Sequence, residues 1–245
     1  MTNVSIVIPA YNEEKYIGRL LASLQKLPKE NILEVLVVDN GSTDKTKEIV
    51  RIAALNVDGS GQKIRLIEET RKGVAWARTR GSEEAKGEII AFFDADTFIP
   101  DQWFSRLTKY MSSDKVVCVS GPTYYYDVSW FTRLTSDIYW WFAAVILSRL
   151  IGYMGNFANL VVRAESLKKI GGIDTSVEFH GDDTNITRRL SKVGKVVFNR
   201  NFYVYASGRR FNTEGLFVTA WRYALNFFSE AFAHKQISKG YTEVR

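Results

Sequence analysis

Five short runs of branched and aromatic residues constrain this chain most: VSIVI at 4–8, EVLVVD at 34–39, KIRLI at 63–67, EIIAFFD at 88–94 and KVVCVS at 115–120. None alternates polar with apolar residues, so each reads as a strand covered on both faces. Helical signals lie between them. Residues 13–26 carry Ile17, Leu20, Leu21 and Leu24 at helical spacing, and STDKTKEIVRIAAL opens with Ser42 and Thr43 as candidate caps. Strands alternating with helices predict an α/β fold whose mostly parallel central sheet has helices on both faces. With 245 residues, 46% of them apolar, the chain has material for a full core.

In such sheets ligands bind beyond the carboxyl ends of the strands. Tyr11, Asn12 and Glu13 follow the first strand, Asp39 and Asn40 the second, and Asp94 and Asp96 the fourth, so they are expected to converge on one crevice. Acid, alanine, acid at a strand end offers hard oxygen ligands suited to magnesium or manganese. The plainer alternative makes Asp94 a turn residue and Asp96 the cap of a helix starting near Asp101. In FHGDDTNITRRL, Asp182 and Asp183 open a helix whose dipole they oppose, which predicts a lowered pKa for either acid. His180 precedes them as a weaker candidate ligand. Arg71 and Lys72 before Gly73, and Arg209 and Arg210 in SGRRF, are the cations available for phosphate oxygens, with solvated surface as the alternative.

VSIVIPAYNEE, VVDNGSTDKT, KGVAWARTRGSEEAKGEIIAFFDADT and FHGDDTNITRRL, in that order, resemble the family 2 glycosyltransferases of the GT-A fold. The resemblance covers most of residues 3–210, with 130–154 the least typical part. It implies that Pro9, Ala10, Tyr11 and Glu13 line a nucleotide pocket, that Asp39 contacts the base, and that Asp94 lies against ribose and sugar. Asp96 would ligate Mn2+ or Mg2+. Asp182 and Asp183 match a pair usually written Glu-Asp, whose second member is the general base; Asp182 departs from that pattern by one methylene. The implied reaction is inverting transfer from a UDP- or GDP-linked sugar to a glycan or lipid-linked acceptor, in cell-envelope glycan synthesis. The Q-x-x-R-W signature of processive members is missing, which favours single-sugar transfer. The expected division is a catalytic domain over 1–211, with a nucleotide-sugar half at 1–120 and an acceptor half at 121–211, then a C-terminal amphipathic helix over 212–245.

Other readings compete with this one. A sugar nucleotidyltransferase would be expected to have a Gly-rich basic triphosphate loop near the first strand, and IPAYNEEKYIG lacks it. A non-catalytic nucleotide-sugar-binding or scaffold subunit would use the aromatic helices for assembly. The net charge of +6 is densest from Arg188 to Arg210, but no nucleic-acid recognition motif accompanies it. Cys118, the single cysteine, lies in an apolar run, which suits a reducing compartment. No export signal opens the sequence, and the longest uninterrupted apolar run, Ile138 to Leu147, is half the roughly 20 residues that span a bilayer. The expected location is therefore cytoplasmic. The aromatic helices at 130–154 and 213–233 are expected to pack on the domain or on a second copy in a homodimer. The sharper alternative is a peripheral membrane contact, with the basic cluster on anionic lipid.

Overall fold

Each run read as a covered strand forms one in a computed structural model, which describes residues 3–55, 63–177 and 181–230. The first half runs β1 (Val4–Ala10), α1 (Ile17–Leu24), β2 (Ile32–Asp39), α2 (Thr46–Leu55), β3 (Lys63–Glu68), α3 (Val74–Glu84), β4 (Ile89–Phe92), β5 (Thr97–Phe98), α4 (Trp103–Tyr110) and β6 (Val116–Ser120). The second continues with β7 (Thr123–Tyr125), α5 (Trp130–Ile138), α6 (Ala144–Ile151), β8 (Leu160–Arg163), α7 (Ala164–Lys169), α8 (Asp182–Leu190), β9 (Lys195–Phe198), β10 (Val204–Ala206), α9 (Arg209–Glu214) and α10 (Leu216–Phe228).

Among the described residues the main sheet has the order β3-β2-β1-β4-β8-β6-β9. Its pairs are parallel except those of β8, which runs antiparallel to both β4 and β6. Strand alternation sorts the core into two layers. Ile6, Ile8, Val35 and Val37 face one way, onto Ile17, Leu20 and Leu24 of α1 and Trp103 of α4. Val7, Leu36, Val38 and Phe92 face the other, with Ala77 of α3 and Ile186 and Leu190 of α8. At Gly81 a Cβ would sit 2.3 Å from Val7 Cγ1, so only glycine lets α3 lie this close to the sheet.

A second sheet, β5-β10-β7, lies past these strand ends. Antiparallel pairing of Ala206 with Thr97 draws the chain after β10 alongside the segment before β5. That register carries Arg209 to Asp96, although the two residues are far apart in sequence.

The aromatic segments depart from expectation. α5 and α6 are joined through a π-helical stretch, Tyr139–Ala143, into one helix that Gly152 ends at a φ of 80°. At 22 residues and a mean hydropathy of 1.2 it is long and apolar enough to cross a membrane by length and composition, where counting uninterrupted apolar residues stopped at about ten. Only 11% of that stretch is buried. α10 is turned inside out. Its polar stripe faces inward, with Thr219 and Asn226 each 1% exposed, while Phe217 at 80% and Trp221 at 67% face outward. The polar stripe is drawn inward where buried Glu230, just past α10, takes hydrogen bonds from Asn185 and Arg188, while Ala220, Ala224 and Phe227 line a cavity of the domain.

The basic stretch is not a continuous face either. Arg188 pairs with Glu230, Arg209 with Glu13 and Arg210 with Glu214, while Arg189 donates to the Ile170 carbonyl. Three of the charges that were to meet anionic lipid are thus paired within the molecule, whereas Lys192, Lys195 and Arg200 stay exposed. Residues 231–245 of the expected C-terminal unit lie outside the described residues.

Candidate active site

The loops after β1, β2 and β3 brace one another. Asn12, at a φ of 53° that asparagine tolerates, accepts from Thr43 N at 2.8 Å, while Glu13 N donates to Thr46 Oγ1 at 2.7 Å. Asn40 Nδ2 donates to the carbonyls of Glu69 and Arg71, and its Oδ1 accepts from Gly73 N. At a φ of 126°, Gly73 is a glycine by conformational need.

Asp39 closes the second strand almost wholly buried, and its Oδ2 accepts from Gly41 N and Ser42 N, each at 3.1 Å. Its Oδ1 is buried without a hydrogen-bond partner among the described residues. An orphaned buried acceptor costs free energy that an incoming N–H relieves. It borders a recess of about 210 Å3 shared with Tyr11, Asn40 and Lys72.

Beside the recess lies a cavity of about 1180 Å3. Its lining brings together Pro9, Ala10, Tyr11, Glu13, Lys72, Asp94, Asp96, Asp182, Asp183, Arg209 and Arg210. Arg71 does not line it. That guanidinium is held by both oxygens of Glu69, at 2.9 and 2.7 Å, and lies 4.1 Å from the Trp76 ring. The same bonds hold the Glu69 carboxyl down at about 2. His180 lies outside the described residues.

Sequence reasoning missed Arg78. It is 3% exposed, donates to Asp94 at 2.8 Å and to Asp182 at 2.5 Å, and lies 4.0 Å from the Phe157 ring centre. One buried cation thus joins the acid after β4 to the acid that opens α8. The available signal was its place with Ala77 and Gly81 on the buried face of α3, because a buried arginine requires acidic partners.

The two acids of α8 consequently differ. Asp182 is tied to Arg78, whereas Asp183 keeps its carboxylate in the cavity, with Oδ1 accepting from Thr184 N at 2.8 Å. The helix N-terminus was expected to lower this acid. Burial, reinforced by the charge of Asp182, instead pushes Asp183 up to about 7. Burial raises Asp182 as well, against the pull of Arg78.

At the other end, Arg209 donates to both oxygens of Glu13, at 2.9 and 2.6 Å, and lies 3.3 Å from Asp96 Oδ2. Burial works against the arginine's charge, but those carboxylates outweigh it and hold Arg209 protonated. Burial also pushes Asp96 up to about 7, with Arg209 opposing and Asp94 and Glu13 adding to the rise. Among the described residues no three His, Cys, Asp or Glu side chains form a metal cage. The pair Asp94 and Asp96 suits magnesium or manganese, which take one or two carboxylates and complete their shell with water and substrate phosphates.

Four similarities to known proteins bear on this geometry. The model of the family described as glycosyl transferase family 2 matches residues 5–171. Glycosyltransferase AglE of Haloferax volcanii is 32% identical over 195 residues, 78% of this chain and 62% of that protein. The mannosyltransferase PcManGT of Pyrobaculum calidifontis, solved with GDP-Man and Mn2+, superposes with a TM-score of 0.74 at 22% identity, over 96% of this chain and 65% of that one. TarS residues 1–349 of S. aureus, solved with UDP-GlcNAc, gives 0.63 at 22% identity over 84% and 59%. The chain therefore spans somewhat under two thirds of these relatives, and the two structures share its GT-A fold.

Proposed function

This chain belongs to glycosyl transferase family 2, and from that membership we propose that it is an inverting, metal-dependent glycosyltransferase moving one sugar from a UDP- or GDP-linked donor to a glycan or lipid-linked acceptor. The observation that carries this reading is a single cavity lined by Asp94 and Asp96 and by Asp183, which has no cation partner among the described residues, with Arg78 joining Asp94 to Asp182 beside it. The nucleotide sugars bound in the PcManGT and TarS structures, GDP-Man and UDP-GlcNAc, support the donor class.

The orphaned oxygen of Asp39 accepts from the base, and Tyr11 and Pro9 wall the nucleoside. Lys72 and Arg209 face the diphosphate. A divalent cation, when bound through Asp96 with Asp94, supplies Lewis-acid neutralisation of the leaving group. The acceptor oxygen attacks the anomeric carbon as that carbon's bond to the diphosphate oxygen breaks, and Asp183 takes the acceptor's proton. Attack from the face opposite the leaving group inverts the anomeric centre. Arg78 acts as a positioning residue by holding Asp94 and Asp182 in fixed relation. We place the reaction at the cytoplasmic face of the membrane, in cell-envelope glycan synthesis, with the outward apolar faces of α5, α6 and α10 toward lipid.

Slow hydrolysis of donor in the absence of acceptor provides the test. Nucleotide release from a panel of UDP- and GDP-sugars with manganese should single out one donor and fall to background in Asp96→Ala. Release indifferent to that substitution, or none from any donor, rejects the reading.

A further inference from the structure

At about 1180 Å3 the cavity exceeds the roughly 300–1,000 Å3 usual for small-molecule sites, and its lining is divided. Acids and cations crowd the strand ends. The opposite wall comes from the helix formed by α5 and α6 and from α10, through residues such as Phe131, Tyr139, Leu147, Phe217 and Phe227, and neither helix contributes a charged residue to it. Tyr139 and Tyr223 lie within electrostatic reach of Asp183, so this wall begins at the acid that takes the proton. Phe131 at 46% and Phe217 at 80% exposure line the cavity and also meet the outside, which makes them its rim. Beyond them the same helices present Leu150 at 76% and Trp221 at 67% exposure, so apolar surface continues from the interior to the outer face.

We propose that the apolar half of the cavity is the acceptor subsite and that its ligand is a lipid-linked saccharide, with a sugar hydroxyl at Asp183 and the hydrocarbon tail leaving between α5–α6 and α10. This deepens the glycosyltransferase reading and rests on it. The hydroxyl oxygen gains the bond to the anomeric carbon, its proton passes to Asp183, and the electron pair of the broken bond leaves with the nucleoside diphosphate. A neutral sugar head fits because Arg78, Arg209 and Arg210 already face carboxylates, leaving Asp183 and aromatic groups toward the acceptor. A second protein copy seated on these helices would cap the opening through which an acceptor enters. A lipid threads it instead, and cavity-lining Tyr139 at 40% exposure with Trp221 on the outer face suits the boundary between water and hydrocarbon.

The test is isothermal titration with glucose and with butyl, octyl and dodecyl glucoside, each below its micelle-forming concentration, with manganese and either UDP or GDP present. Affinity should climb with tail length, by up to about fourfold per buried methylene. The exposed rim change Phe217→Ser should flatten that climb, whereas Leu150→Ser on the outer face should leave it intact. Equal affinity for all tail lengths overturns the proposal, as does equal loss in both variants, which would mark adsorption to the outer surface. Tighter binding of dodecyl phosphate than of dodecyl glucoside overturns the neutral-head assignment. Nucleotide binding in the same titrations separates the two claims. Nucleotide bound without tail dependence sinks the subsite alone, whereas tail dependence without nucleotide sinks the transferase reading and the acceptor role with it.

Discussion

Arg209 places its Nη2 3.3 Å from Oδ2 of Asp96, so a fixed cation stands beside the carboxylate assigned to the metal. Metal and guanidinium compete for that oxygen until a diphosphate arrives to engage the arginine. Arg209→Ala should therefore raise affinity for manganese alone by at least about tenfold, the scale set by one opposite charge at this range. Nucleotide affinity should fall in the same protein, because a bidentate phosphate ligand is lost. Manganese titration followed by electron paramagnetic resonance checks the first effect. Unchanged manganese affinity would show that the arginine does not guard the site.

Arg78 is the reverse case, a cation whose removal strands charge. Arg78→Ala leaves Asp182 buried without its partner and should cost about 3–5 kcal/mol, or roughly 10 °C in Tm for a chain of this size. Adding Asp182→Asn to that variant should restore part of the loss. Chemical denaturation of the single and double variants measures both, and a loss below about 1 kcal/mol would contradict the buried-pair account.

Asp183 ties pH dependence to the mechanism. Only its ionised form takes a proton, so kcat should fall as pH drops, with an apparent pKa between the ordinary carboxylate value of about 4 and the value of about 7 imposed by burial. Its sign for stability is opposite. A folded-state pKa above the unfolded one lends stability at low pH and loses it as pH climbs through 7. Asp183→Asn should accordingly raise Tm at pH 8 while lowering kcat on a hydroxyl acceptor by about 100- to 10,000-fold. A variant with near-normal kcat would remove Asp183 from the reaction.

Vesicle binding separates hydrophobic from electrostatic anchoring. With Arg188, Arg209 and Arg210 paired internally and Lys192, Lys195 and Arg200 exposed, sedimentation with vesicles containing phosphatidylserine should exceed that with neutral phosphatidylcholine vesicles only modestly. Loss of Phe142 or Trp221, 62% and 67% exposed, should weaken both. Binding that needs anionic lipid and vanishes at high salt would return the contact to the basic residues.

The five strands of the first half were legible because each is continuous and branched, so local pattern and tertiary burial agree. β8, β9 and the shorter strands β5, β7 and β10 were not, since two to four residues carry too little periodicity to distinguish a strand from a loop. The same boundary runs through the site. Asp94, Asp96 and Asp183 could be read from their places at element ends. Arg78 showed only its helix face beside Ala77 and Gly81 and not its role, because its partners Asp94 and Asp182 come from two separate elements. Arg71 and Lys72 are adjacent on one loop, and nothing in their sequence says which of them turns to the cavity. For α10, amphipathic spacing identified two faces but not which one looks inward, a matter settled by buried Asn185 and half-buried Arg188 around Glu230. The acidity of Asp183 was misread for a related reason: the helix end is local and visible, whereas burial is neither.

Thermal unfolding with UDP, GDP and several of their sugars, each with manganese and with chelator, tests the donor site most directly. A ligand at about 100 times its Kd adds about 2.7 kcal/mol, or roughly 5–10 °C. The account predicts that shift for one base, only with metal, and not in Asp96→Ala, with manganese alone giving little because the diphosphate completes its shell. No shift with any nucleotide, or one indifferent to chelator and to Asp96, would contradict a metal-bridged donor site.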